Sequence, residues 1–309
     1  MERLDDTLFE FSELPLKNEL IEFIEDVKLK DFRENDHHLE YYSLGEGDKI
    51  LLMLPSSNGH AITFFKYIST LSEHVKVIVP RYQEGVDLET QCRGFYKLAQ
   101  SYQPESLFVF GHSFGGIIGQ LMVKYYPDDI HGLCLLDGET KTKHINPKLI
   151  KRFVKSYNRL NRTLRFFSTK SMHRSLSKRL TLDVAVALDE NKHFWEALYK
   201  QALQETSKDR MRLVYDNVRE FWMSYEFSEE DFESYTGEVL FLHVEDSTKR
   251  VEVKELNQLF KSAKEIIYPI SYRMALVTCY NNVIEELSNL MDIPNTNTNY
   301  DIIKEGQNE

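Results

Sequence analysis

The residues best suited to chemistry lie at 111–115, which read Gly-His-Ser-Phe-Gly and place Ser113 between two glycines. A strand-like apolar run, 107–110, precedes this motif, and a helix-like segment follows it. Glycines two residues either side of a serine allow a strand and a helix to pack closely, while the serine occupies a strained turn with its hydroxyl exposed. The spacing therefore predicts a nucleophilic serine at a strand-to-helix junction.

The elements around this motif alternate between strand and helix patterns. Apolar runs of strand length occur at 39–44, 49–55, 75–80, 106–111, 132–137, 238–244 and 265–270. Helical periodicity occurs at 88–102, 116–126, 251–263 and 281–291. Nearly continuous apolar strands separated by helices are typical of a mainly parallel sheet with helices on both faces. The predicted fold class is therefore α/β.

The span 138–237 has no convincing strand pattern and many helical periods. Apolar residues recur there at spacings of three and four, which is an amphipathic helix pattern; they are Leu149, Phe153, Tyr157, Leu160, Leu164 and Phe167. We predict a helical cap at 138–237 inserted into a core formed by 37–137 and 238–294. An N-terminal extension, 1–36, precedes the core, and the polar tail 295–309 is expected to be disordered.

The serine motif, the strand order and the helical insertion together resemble the α/β-hydrolase fold superfamily, over roughly 39–291. Within it, the stretches LPSSNGHAITFF, DLETQCRGFYKLAQ and LFVFGHSFGGIIGQLMVKYYP are most similar to the maspardin-like branch. Members of that branch look like hydrolases, but their catalytic competence is in question. The resemblance implies an α/β-hydrolase fold with a nucleophile elbow at Ser113.

The resemblance also implies two backbone donors for an oxyanion. Phe114, which follows the nucleophile, supplies the first donor, and Ser57 in the loop 55–59 supplies the second by position. The usual His-Gly pattern is replaced in that loop by Pro55 and Ser56. The loop that supplies the second donor thus departs from the pattern of the superfamily.

Two aspartates are candidates for the catalytic acid. Asp246 lies near the usual acid position after the penultimate strand, and the resemblance to the maspardin-like branch favours it. Asp137 directly follows the strand after the elbow helix, a position that some thioesterases of the superfamily use. Either residue is otherwise an ordinary loop aspartate or helix cap.

The general base is missing from its usual place after the last strand, because the last of the ten histidines is His243. By position, Arg273 or Tyr272 occupies the vacant base position. Arginine has no acceptor lone pair and stays protonated, so it cannot take the proton of a serine. His243 or His60 would need a triad geometry unusual for this fold.

Two functions follow from this pattern. One is a serine-hydrolase-like protein that cleaves an ester or thioester through Ser113, with a degenerate triad. The other is a non-catalytic α/β-hydrolase-fold protein of maspardin-like type that binds a small molecule or a protein partner. The missing histidine favours binding, whereas the intact elbow favours chemistry.

The composition limits which cofactors, cellular compartments and partners we expect for this protein. The three cysteines lack the spacing of a zinc site or a disulfide framework, and no metal or cofactor is expected. The chain has no signal-peptide pattern and no apolar run of membrane-spanning length, so we expect a soluble, cytoplasmic protein. A net charge of −11 argues against nucleic-acid binding.

The charge is unevenly distributed. The segment 140–182 contains thirteen Lys and Arg residues and no Asp or Glu, which leaves 25 basic and 49 acidic residues elsewhere. Such a cap is expected to attract an anionic lipid surface, an acidic protein or a negatively charged acyl donor. It is also compatible with a solvated polar face.

Overall fold

The computed structural model describes residues 10, 15–34, 37–56, 61–83, 85–185, 191–244, 250–268 and 275–294. Within these residues, eight strands form one sheet. The strands are β1 (Leu29–Glu34), β2 (His37–Leu44), β3 (Lys49–Leu54), β4 (Lys76–Pro80), β5 (Ser106–His112), β6 (Ile130–Leu136), β7 (Glu238–Val244) and β8 (Lys264–Tyr268).

The strand order in the sheet is β1-β2-β4-β3-β5-β6-β7-β8. The pairs from β4 to β8 are all parallel, whereas β1 and β2 pair antiparallel with their neighbours. Parallel strands end at one common edge of the sheet, so the carboxyl ends of β3, β5, β6, β7 and β8 lie at the same edge. The predicted motif follows β5.

The helices of the described residues cover both faces of the sheet. They are α1 (Pro15–Asp26), α2 (Phe65–Leu71), α3 (Leu88–Gln100), α4 (Phe114–Tyr125), α5 (Pro147–Phe166), α6 (Thr169–Ala185), α7 (Lys192–Glu205), α8 (Lys208–Ser224), α9 (Arg250–Leu259), α10 (Ala275–Thr278) and α11 (Tyr280–Leu290). One apolar core contains side chains of α1, α2, α7 and α11, and the other contains side chains of α3, α4, α8 and α9. None of the described helices is both long enough and apolar enough to cross a membrane.

The span between β6 and β7 is helical, as predicted, and the described part of it consists of α5 to α8 with a short 3₁₀ turn at Glu229–Phe232. The two ends of this insertion meet, because the amide of Phe227 donates to the carbonyl of Lys141 at 2.8 Å. The hydroxyl of Thr142 donates to the buried carboxylate of Glu255 on α9. The cap is therefore fixed to the core at its base.

Two regions show features that the sequence prediction did not include. The predicted N-terminal extension contains α1, which buries Leu20 and Phe23, and β1, which pairs with β2. The strand β1 was missed because it is mostly exposed and lacks an apolar alternation. In the cap, α5 ends at Phe166, and Phe167 is exposed instead of continuing the apolar stripe, which is half-buried up to a buried Leu164.

The helix after the serine motif approaches the sheet too closely for a side chain at one position. A Cβ added to Gly115 on α4 would lie 2.1 Å from the carbonyl oxygen of Leu54, at the end of β3. Gly119, one turn later, has more room, because its nearest neighbour is a methyl group of Leu133 at 3.0 Å. The glycine at 115 thus sets the distance between α4 and β3.

We expect Gly115→Ala to lower the free energy of unfolding by about 1–3 kcal/mol, because backbone atoms must move to admit the methyl group. Gly119→Ala is the matched control, since its neighbour is a flexible side chain and alanine favours a helix. Denaturant unfolding of both variants measures the difference. Equal stabilities would contradict the close contact between α4 and β3.

Candidate active site

Ser113 lies in a strained turn between β5 and α4. Its backbone angles are φ 52° and ψ −112°, which an L-residue other than glycine rarely adopts. Its amide donates to the carbonyl of Leu136 at 2.9 Å, and its carbonyl accepts from the amide of Gly116 at 2.8 Å. The side chain of Ser113 is half-buried and makes no capping hydrogen bond to α4. This is the turn that the sequence motif predicted.

The first predicted oxyanion donor, Phe114, is the first residue of α4. Amides in the first turn of a helix have no partner within the helix and carry partial positive charge, so they favour a developing anion. The ring of Phe114 lies 5.1 Å from that of Tyr82, whose hydroxyl donates to the carbonyl of Pro55. The second predicted donor, Ser57, lies outside the described residues.

Asp137 occupies the position next to the serine at the end of the neighbouring strand. It directly follows β6, is 3% exposed, and has φ 50°. Its amide donates to the carbonyl of Leu242 on β7 at 2.9 Å. The last residues of β5 and β6, His112 and Leu136, are paired in the sheet. The two strand ends therefore bring Ser113 and Asp137 together, whereas the other candidate acid, Asp246, lies outside the described residues.

A buried cysteine, which the sequence analysis did not identify as part of this region, lies close to Asp137. Cys279 caps the start of α11 and is fully buried. Burial raises the pKa of its thiol to about 12, a hydrogen bond with Thr278 lowers it, and the charge of Asp137 raises it. The thiol is therefore protonated at neutral pH and cannot act as a general base. Nothing in the local sequence around Cys279 indicates this neighbour.

The segment that follows the predicted base position is held against α2. The hydroxyl of Tyr67 donates to the carbonyl of Leu276 at 2.6 Å, and the rings of Tyr67 and Tyr280 are 4.8 Å apart. The hydroxyls of Thr70 and Tyr280 are 2.6 Å apart. These contacts fix the start of α11 beside the core. The predicted base positions, Arg273 and Tyr272, lie outside the described residues.

The side chain of His243 is directed sideways toward the neighbouring strand, β8. Its Nε2 atom lies 3.3 Å from a carboxylate oxygen of Glu265 on β8, and its side chain is 12% exposed. The strand β8 lies on the far side of β7 from β5, and β5 and β7 are two strand spacings, about 10 Å, apart. The contact with Glu265 therefore holds the imidazole on the side away from Ser113. His60 lies outside the described residues.

The described residues do not assemble a metal centre: no group of three or more His, Cys, Asp or Glu side chains among them is arranged to hold an ion. All three cysteines are buried as free thiols. What the site does contain is a strained serine, helix amides beside it and a buried aspartate. This set suits an acyl-transfer site that works through a nucleophile.

Comparison by sequence finds two partial relatives. An uncharacterized hydrolase, YcgS, of Bacillus subtilis is 30% identical over 120 residues, which cover 36% of this chain and 41% of that protein. Maspardin of Danio rerio is 32% identical over 99 residues, which cover 31% of this chain and 32% of maspardin. The chain thus matches less than half the length of either relative. No family model matches it.

Solved structures of hydrolases share the fold over most of the chain. A carboxylesterase of the thaumarchaeon Nitrososphaera gargenis has a TM-score of 0.68 at 12% identity and covers 85% of this chain and 99% of its own. The epoxide hydrolase CorEH has a TM-score of 0.64 at 15% identity and covers 86% and 99% of the two chains. The strand order, the serine turn between β5 and α4 and these structures show that the chain has the α/β-hydrolase fold.

Proposed function

We propose that this protein is a serine-hydrolase-type protein that reacts with an ester or thioester through Ser113. The observation that carries the proposal is the backbone of Ser113. A non-glycine residue in such a conformation costs about 1–3 kcal/mol. A protein that used the fold only as a scaffold would gain stability from glycine at position 113, because glycine adopts a positive φ without this strain. Strain that is kept at a serine, whose hydroxyl glycine would lack, supports a chemical use of that hydroxyl.

In the proposed reaction, Ser113 Oγ attacks the carbonyl carbon of the ester or thioester. The amides of Phe114 and Ser57 stabilise the negative charge on the carbonyl oxygen. The alcohol or thiol leaves with a proton, and an acyl-serine remains. Water then attacks the acyl group and releases an acid and the free serine. Slow proton transfer limits both steps, because the usual histidine is missing.

Asp137 is the acid that we propose for this site. It supports the proposal by its burial and by its place at the strand end next to that of Ser113. A buried carboxylate at this place would orient an imidazole, if one were supplied from the loop that follows β8. Asp246 remains the competing acid, because its position after β7 matches the more common arrangement of the superfamily.

A second candidate function is binding without catalysis, of the maspardin-like type. It is favoured by the residues at the vacant base position, Arg273 and Tyr272, neither of which replaces histidine at neutral pH. It is also favoured by the contact of His243 with Glu265, which holds that imidazole toward the sheet edge. In this case the elbow would remain as part of a ligand-binding pocket.

Fluorophosphonate labelling separates these functions. We expect weak labelling of the wild-type protein that is lost in Ser113→Ala. Without a base to take its proton, the hydroxyl of Ser113 is only slightly more reactive than an ordinary serine hydroxyl on the protein surface. Arg273→His, or Tyr272→His if that residue holds the position, should raise the labelling rate by about 10²-fold or more, the scale of general-base catalysis. Arg273→Gln is the matched control, since it removes the same charge without supplying a base.

The same assay tests for a relocated histidine. We expect His243→Ala and His60→Ala to leave the labelling of the wild type unchanged. Strong wild-type labelling that disappears in both Ser113→Ala and His243→Ala would refute the degenerate triad and establish His243 as the base. Complete absence of labelling in the wild type and in both histidine-gain variants would favour the binding function.

The identity of the acid is tested in the Arg273→His background. Asp137→Asn should reduce the restored labelling of Ser113 by about tenfold or more, because the neutral amide stabilises an imidazolium poorly and can hold the wrong tautomer. Asp246→Asn is the parallel variant and should have little effect. The opposite pattern would assign Asp246 as the acid. Thermal unfolding of each variant checks that the fold is retained.

A further inference from the structure

A groove runs along α5 beside α8 on the cap. It consists of two hollows of about 600 and 610 Å³, which share Asn158 and Arg162 and therefore form one continuous depression. The basic residues that line it are Lys151, Lys155, Arg159, Arg162, Arg165 and Arg219. The stretch of α5 from 150 to 166 is about 24 Å long at the usual helical rise. The groove is thus long enough for several anionic groups in a row.

The charges in this groove are poorly balanced within the protein. Lys151, Lys155 and Arg159 follow one another at intervals of four residues, so they lie on one side of α5 and repel each other. The sequence of α5 contains no Asp or Glu. Among the groove's lining residues, Asp216 is the acidic one; it accepts a hydrogen bond from Asn161 at 2.5 Å and lies 3.9 Å from Arg219, so it offsets at most one of the six basic side chains. External anions would relieve the repulsion along the helix.

Two phenylalanines project from the end of the groove, at the corner between α5 and α6. Phe166 is 83% exposed and Phe167 is 52% exposed. The corner is held in place because Lys208 donates to the carbonyl of Phe167 at 2.9 Å. Beyond the corner, α6 presents exposed Lys170 and Arg174. Exposed aromatic side chains surrounded by Lys and Arg are typical of surfaces that enter the headgroup region of a bilayer.

We propose that this groove and the Phe166–Phe167 corner form a docking surface for an anionic phospholipid bilayer. The basic side chains bind lipid phosphate and carboxylate groups, and the two phenyl rings enter the boundary between headgroups and acyl chains. A bilayer fits better than an acidic protein, because two phenyl rings as exposed as those of Phe166 and Phe167 can enter an apolar phase beside the lipid charges, whereas an acidic chain offers these rings no apolar partner. The acidic remainder of the chain is repelled by the same lipids and turns the cap toward them.

The test is cosedimentation of the full chain with vesicles. We expect binding to phosphatidylcholine vesicles that contain about a third phosphatidylserine, and little binding to phosphatidylcholine alone. Binding at about 50 mM NaCl should fall sharply at about 500 mM NaCl, because salt screens the attraction. Equal binding to both vesicle types, or no binding to either at low salt, would overturn the proposal.

Two double variants test whether the basic groove is the surface that binds the vesicles. Lys155→Glu/Arg159→Glu should weaken partition into the anionic vesicles by about 30-fold or more, since each basic residue at such a surface contributes about fivefold. Lys28→Glu/Lys254→Glu is the matched control, because both lysines are exposed and the change in net charge is the same. An equal loss in both double variants would show that only net charge matters and would overturn the proposed site.

The apolar contribution has its own pair of variants. Phe166→Ser/Phe167→Ser should weaken binding several-fold and make the remaining binding more sensitive to salt. Ile267→Ser, at an exposed position on β8, is the control and should bind like the wild type. Unchanged binding in the phenylalanine variant would contradict insertion.

Discussion

The close approach of α4 to the ends of β3 and β5 is the constraint on which the rest of the site depends. Gly115 brings the helix against the carbonyl of Leu54, and a Cβ at Gly111 would lie 2.6 Å from the Cα of Gly116. The chain must therefore turn from strand to helix within one residue. Ser113 is that residue, and its positive φ follows from the lack of room for a wider turn.

The same packing decides what surrounds the serine. The strands β5 and β6 are parallel and end at the same edge. The residue that follows β5, Ser113, therefore lies next to the residue that follows β6, Asp137. The tight turn also places the first amides of α4 beside the serine hydroxyl. One arrangement of the backbone thus brings together a serine hydroxyl, helix amides and a buried carboxyl group.

Proton transfer limits the chemistry that we propose for this site. Burial keeps the thiol of Cys279 protonated, and Glu265 holds the imidazole of His243 toward the sheet edge. Arginine or tyrosine at the vacant base position does not accept a proton at neutral pH. Within the described residues, a turn that is costly to maintain is therefore accompanied by two groups, Cys279 and His243, that we do not expect to take the proton of the serine. The hydrolase-type function accounts for the strained serine, and the binding function accounts for the lack of a base among these groups.

The sequence by itself determined the features that depend on local order. The period of two or 3.6 in apolar residues predicted the core strands and helices, and the spacing of glycines predicted the strained turn at Ser113. The cationic segment and the lack of a histidine after His243 were equally visible, because composition needs no folding. Only the tertiary structure decided which residues meet. It placed Asp137 beside the serine and Cys279 near Asp137, exposed Phe166 and Phe167, and paired β1 with the sheet. These contacts join residues far apart in the chain, or depend on where a helix ends, and no short-range pattern encodes them.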